Sequence, residues 1–292
     1  MPNDNGNRLI SLDAYRGFVM LAMVSSGLGM GHLLTHPTWG WLADQFSHRE
    51  WVGCTFWDLI QPSFMFIVGV AMVFSFGQRS GQPWGRQLFH VVKRCLLLVA
   101  IGIVLDSYAE NRIVIQFIRV LQQIAIGYFL AFFVIHLGPL AQFSTAILLL
   151  AAHTAAFMVY AKTTGPEAWL PMDNFGRYLD TALNLPLSRG YYVTFNALSS
   201  TGTILFGVVA GQLLRGGLSP LNKVAILVLV GVLGLAGGWA LAGGGDPFAV
   251  SFTPMIPMVK RLWTASFALY AAGWTCLMLA AFYLVIGVMR IG

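Results

Sequence analysis

Charge is what this 292-residue sequence has least of: Asp, Glu, Lys and Arg together make up 10% of it, against about a quarter in an ordinary soluble domain. With 57% hydrophobic residues, too little polar surface is left to coat a water-soluble globule of this length. Cysteine is nearly absent, and Cys54, Cys95 and Cys276 stand apart without paired spacing, which excludes a disulfide framework and a cysteine zinc site. They read as small apolar packing residues. Period-2 alternation is missing from the apolar stretches, which excludes a transmembrane β-barrel. Acidic residues are also few, 11 against 17 Lys and Arg, for a net charge of +6. The basic residues fall in short inter-helix loops and form no single patch, so the excess points to orientation in a bilayer and not to nucleic acid. No small-residue cleavage pattern follows the first apolar run, which therefore reads as a retained span.

What remains is a set of uninterrupted apolar runs near the ~20 residues that a helix needs to cross a hydrocarbon core about 30 Å thick. Lipid offers no partner to a bare N–H or C=O, so such runs fold as helices. The spans run Gly17–Leu34, Leu59–Phe76, Val91–Leu105, Ile115–Leu137, Leu140–Tyr160, Leu198–Leu214, Val224–Leu241 and Leu262–Met289. The expected fold is all-α: a polytopic helix bundle of about eight crossings. Lys and Arg are in excess on the side holding Arg8, Arg16, Arg79, Arg86, Lys93, Arg94, Arg215, Lys223 and Arg290, which predicts a cytoplasmic N-terminus. The loops His36–Trp57 and Lys162–Phe195 then lie outside. Gly27 with Gly31, Gly207 with Gly211 and Gly234 with Gly238 have the spacing that lets helices approach closely. Gly243 to Gly245, with Asp246 and Pro247, mark a turn.

Polar residues that could carry chemistry cluster at the mouth of the second span. Asp58 and Gln61 stand there, where an unpaired charge is costly and usually functional; the structural alternative makes Asp58 a helix cap and Trp51 and Trp57 a headgroup-level belt. His48 can exchange a proton near neutral pH, and a tight loop could bring Asp58, ten residues on, to fix its tautomer; alone it reads as a solvated loop residue. His32 and His36 share a helix face and, with Asp44 or His48, offer only weak evidence of a zinc-type site. The fourth span carries Gln116, Arg119, Gln122 and Gln123. Arg119 suits an anionic ligand, or else a salt bridge to Asp58 or Asp106. Lys260, Arg261 and Trp263 open the last span, where they could be snorkelling anchors.

Taken together, these residues resemble a known pattern. Arg8-Leu9-Ile10-Ser11-Leu12-Asp13-Ala14-Tyr15-Arg16-Gly17 is similar to the cytoplasmic N-terminal motif of membrane acyltransferases related to heparan-alpha-glucosaminide N-acetyltransferase. His48, Trp51, Gly53, Thr55, Asp58, Pro62, Phe64, Phe66 and Gly69 fall at the spacing of that family's histidine motif. Val120-Leu121-Gln122, Gly207 to Gly211 and Pro257 to Thr264 continue the likeness in order along most of the chain. The resemblance implies a bacterial member of the superfamily, a multi-pass protein of the inner membrane. It implies a single acyltransferase-like domain over residues 1–292, without the further C-terminal helices that relatives carry. It also implies transfer of acetyl from cytoplasmic acetyl-CoA to a sugar on the far side, with no metal. His48 is then the catalytic base or acyl carrier and Asp58 its orienting partner. Arg8, Arg16, Arg119, Gln122 and Lys260 are expected to serve acetyl-CoA, and Trp51 and Trp57 the acceptor. Gly190-Tyr191-Tyr192-Val193 replaces the acidic Asp-Pro-Glu-Gly of animal relatives, and Val259 replaces an Asn, so an envelope glycan is the expected acceptor. Membrane lipid is the other expected partner, and pairing into a homodimer is left open. The rival reading is a secondary transporter or lipid-linked sugar carrier using Arg119 and Asp58 as a substrate or proton path. No pair of broken helices at matching positions supports it.

Overall fold

The computed structural model describes residues 9–79, 81–244 and 256–291, and the regular elements among them are helices. No strand forms among them; one antiparallel bridge joins Val52 to Val259. In chain order the α-helices are α1 (Ile10–Val24), α2 (Gly40–Asp44), α3 (Ile60–Gly77), α4 (Trp84–Glu110), α5 (Val120–Val134), α6 (Pro139–Thr164), α7 (Phe175–Ala182), α8 (Asn196–Arg215), α9 (Pro220–Leu241) and α10 (Ala265–Phe282). Their boundaries follow local chemistry. Pro139 and Pro220 sit in the first turns of α6 and α9, where no N–H is needed, and Ser219 caps α9 by accepting from the Asn222 N–H. Asn111, in the left-handed region, closes α4.

Among the described residues, six helical stretches are long and apolar enough to cross a bilayer: Phe56–Gly77, Trp84–Glu110, Pro139–Thr164, Asn196–Arg215, Pro220–Leu241 and Ala265–Val288. The other two expected spans differ from their sequence readings. α1 and α5 hold 15 residues each, only about 22 Å of helix. The first span begins at Ile10 and not at Gly17, and its α-helix stops at Val24 instead of running to Leu34. A 3-10 segment, Ser26–Leu33, follows, with positive φ at Gly27, Leu28 and Gly29, a geometry no continuous helix can hold. Gly27 and Gly31 therefore do not form a helix-packing pair; a Cβ on Gly31 would meet nothing. The fourth span opens at Val120, because residues 113–119 are not helical.

α3 and α8 are the buried centre, and they pack most extensively on each other, as α9 does on α10. Glycine sets the first crossing: a Cβ on Gly69 would strike the Ile204 carbonyl, and one on Gly207 the Phe66 carbonyl. α4 lies at the periphery, where Phe89, Leu96, Leu97, Val104 and Leu105 point outward, as expected of a face toward lipid. Alternating helix directions bring the starts of α3, α5, α8 and α10 to one end, together with the loops around His48 and Lys260. Arg79, Arg86, Arg215 and Lys223 lie at the other end. Arg8 and residues 245–247 of the expected turn fall outside the described residues.

Candidate active site

Asp58 is set by helix capping. Thr55 begins the 3-10 turn Phe56–Leu59 that runs into α3, and the Asp58 side chain closes a capping box with it. Oδ2 accepts from the main-chain N–H groups of Thr55, at 3.2 Å, and Arg49, at 3.3 Å. That leaves Oδ1 for other donors. His48 Nδ1 lies 2.8 Å from it and Lys260 Nζ 3.2 Å. Asp58 thus caps the turn with one oxygen and meets His48 and Lys260 with the other. The loop is pinned to the segment bearing Lys260 by the Val52–Val259 bridge and by Gly53 N–H donating to the Met258 carbonyl at 2.9 Å.

Distance determines the imidazole tautomer. A ring nitrogen 2.8 Å from a carboxylate oxygen carries the proton, since two lone pairs would repel at that range. Nδ1–H therefore donates to Asp58, which in a neutral imidazole leaves the lone pair on Nε2. The 3.3 Å approach of Lys260 to Nδ1 is then a meeting of two donors on one acceptor, Asp58 Oδ1. The two partners differ in exposure: the Asp58 side chain is 2% exposed and that of His48 50%, so the imidazole remains reachable. Cys54, next to this cluster, is no rival nucleophile, because burial, with Asp58 adding to it, pushes its thiol well above the ordinary range.

A cavity of about 310 Å³ opens at this cluster, lined by His48, Lys260, Trp57, Gln61, Phe64, Arg119 and Tyr192 among others. Arg119 is the residue before α5, not one inside an apolar run, and its Nε pairs with Asp106 Oδ1 at 3.1 Å while the side chain stays 55% exposed. It holds a salt bridge and still presents donors to the cavity. A second cavity of about 280 Å³ lies further along α3, lined by Arg16, Arg94, Tyr128, Ser75 and, again, Phe64. The guanidinium of Arg94 sits 4.7 Å from the centre of the Tyr128 ring. Phe64 therefore borders both cavities.

Several sequence expectations land elsewhere. Gln122 is fully buried and donates to Asp106 at 3.2 Å, behind Arg119 and away from the His48 cavity. Trp51 donates from Nε1 to the Trp169 carbonyl at 2.9 Å and meets Tyr191 edge-on, so it anchors the long loop against the histidine loop. Lys260 joins His48 and Asp58, a place its reading as a ligand for acetyl-CoA did not foresee. His36 accepts from the N–H groups of Thr38 and Trp39 and so caps its own turn. No group of three His, Cys, Asp or Glu able to hold a metal occurs among the described residues. Of the lining residues, sequence reasoning names Gln61 as a polar candidate without a role, Phe64 and Tyr192 only as motif positions, and Arg94 not as a site residue. Arg94 carried a signal, an arginine ten positions inside α4, but was counted with the loop charges.

The model of the family described as heparan-alpha-glucosaminide N-acetyltransferase, catalytic, matches residues 8–242. The heparan-alpha-glucosaminide N-acetyltransferase of Mus musculus is 30% identical over 132 residues, 43% of this chain and 19% of that protein. Its Homo sapiens counterpart is 31% identical over 129 residues, 42% of this chain and 18% of that protein. The matched stretch thus spans about a fifth of the length of these curated relatives.

Proposed function

Since this chain belongs to the heparan-alpha-glucosaminide N-acetyltransferase catalytic family, we propose that it carries acetyl groups across a membrane, from acetyl-CoA on the cytoplasmic side to a sugar or amino sugar of an envelope glycan outside. The observation that carries this reading is the pair of cavities sharing Phe64, one ending at His48 and the other reaching Arg16 and Arg94. A thioester arm held by guanidinium groups on one side could thus reach the imidazole on the other. Phosphate is the ligand such planar donor forks suit best.

In this proposal His48 Nε2 takes a proton from the acceptor amine or hydroxyl as its N or O attacks the thioester carbonyl. The new C–N or C–O bond replaces the C–S bond, and the proton ends on the departing thiol sulfur. Asp58 holds the tautomer and stabilises the imidazolium that forms. Lys260 balances the Asp58 charge, and Arg119 offers donors to the oxyanion of the tetrahedral intermediate. Trp57 and Tyr192 give the cavity an aromatic wall for a sugar ring.

The full reading has eight crossings, a cytoplasmic N-terminus and a bacterial inner-membrane location. The many basic residues at the end opposite His48 support that orientation. Transfer of labelled acetyl from acetyl-CoA to envelope sugars in sealed vesicles tests it. Transfer is expected only with acetyl-CoA on the face bearing Arg16, and His48→Ala should abolish it. Undiminished transfer by His48→Ala would remove the imidazole from the chemistry, and sugar uptake independent of acetyl-CoA would restore the transporter reading.

A further inference from the structure

A cavity of about 630 Å³ lies at the end of the bundle opposite His48, between the end of α3, the start of α4 and the ends of α5 and α8. Its size is that of a small-molecule site. It shares no lining residue with the His48 cavity or with the one holding Arg16.

Its polar lining, which also includes His136 and Gln212, holds groups of two complementary kinds. Gln82 and Gln87 each keep a buried Oε1 without a hydrogen-bond partner. Gln87 is only 5% exposed, and its Nε2 donates to the main-chain carbonyls of Gln82, at 2.9 Å, and Arg79, at 3.3 Å. The amide is planar, so holding Nε2 on the turn aims Oε1 the other way. Two buried acceptors in one cavity call for a ligand with N–H donors, because an acceptor left unpaired there has lost its water for nothing. Arg215 supplies the opposite need. It lines the same cavity and has no carboxylate in ion-pair range among the described residues. The surroundings reinforce it: at this end the one acidic residue among the described residues is Asp13, against Arg79, Arg86, Arg215 and Lys223. A negative group is favoured here, as is a positive one bearing N–H bonds beside it.

We propose that this cavity takes the phosphoethanolamine headgroup of a bilayer phospholipid, with phosphate on Arg215 and ammonium on the amide oxygens of Gln82 and Gln87. The location fits, since helix ends are where headgroups meet a spanning bundle, and Trp84 lies exposed at the rim. The test is lipid binding to the purified full chain in detergent, read by native mass spectrometry. Phosphatidylethanolamine is expected to bind about tenfold more tightly than phosphatidylcholine, whose trimethylammonium group has no N–H to donate. Gln82→Leu should erase that preference, and Arg215→Gln should weaken the binding of both lipids. Gln82→Leu leaves the turn intact, because Gln87 holds the Gln82 main chain and not its side chain. Equal binding of the two lipids, a preference that survives Gln82→Leu, or undiminished binding by Arg215→Gln would overturn the proposal. So would displacement of phosphatidylethanolamine by soluble adenosine diphosphate, which would make this a nucleotide site.

Discussion

Replacing Asp58 with Asn probes the His48 cluster most sharply, because the two carboxylate oxygens do different things. The Oδ2 position faces two main-chain N–H groups at 3.2 and 3.3 Å, so the amide oxygen of the variant settles there. Its NH₂ group then takes the Oδ1 place, 2.8 Å from His48 Nδ1 and 3.2 Å from Lys260 Nζ. An NH₂ group donates, so Nδ1 has to accept, and the imidazole proton moves to Nε2. The nitrogen facing the cavity then has a proton where it needs a lone pair. The transfer rate is expected to fall by about 10³ to 10⁴, the scale on which an enzyme loses activity when the carboxylate orienting its histidine becomes an amide. Lys260, 9% exposed, would also lose its counter-charge. A buried ammonium left unpaired costs about 3 kcal/mol. Adding Lys260→Met to Asp58→Asn should therefore recover stability without recovering activity. The assays are labelled-acetyl transfer in vesicles, thermal unfolding in detergent and ¹⁵N spectra of the imidazole. Transfer by Asp58→Asn within about tenfold of the native rate, or a double variant no more stable than the single, would refute the reasoning.

Four further outcomes are expected. Phe64→Ala joins the two cavities and should raise propionyl relative to acetyl transfer about tenfold, the worth of one methylene in a pocket; Phe64→Trp should slow both, as donor competition assays would reveal. Arg94→Gln is expected to raise the KM for acetyl-CoA about tenfold with little change in kcat, the pattern of lost ground-state binding. Gly207→Leu drives a side chain into the Phe66 carbonyl and should cost about 3 kcal/mol in thermal unfolding. Asp180 tests the outer loops. Burial lifts its carboxyl above the ordinary value although the Thr194 N–H donates to Oδ2 at 3.1 Å. A raised carboxyl favours the folded state most below the ordinary carboxylate range and loses that contribution as pH climbs through the raised value. Asp180→Asn has no such loss, so its melting temperature relative to the native chain should rise as pH climbs out of the ordinary carboxylate range.

Much of this molecule could be read one residue at a time. Helical class and the approximate positions of the spans follow from apolar runs, because in lipid a backbone has nowhere else to send its hydrogen bonds. The partnership of His48 and Asp58 was likewise within reach, since ten residues of loop ending in a capping box can bring them to 2.8 Å. What the runs did not reveal was where backbones break. Gly27 to Gly29 look like any small apolar segment, and their left-handed geometry shows only in the fold, where a Cβ on Gly27 would lie 3.2 Å from the Phe46 carbonyl oxygen. Nor could spacing tell that Lys260 would stand on Asp58 from 202 positions away, or that Phe64 would wall two cavities. Those relations depend on how α3, α5 and α10 cross, and crossing is decided by close packing between surfaces remote in the chain. A sequence can declare each helix; only the packed bundle decides which side chains share a space.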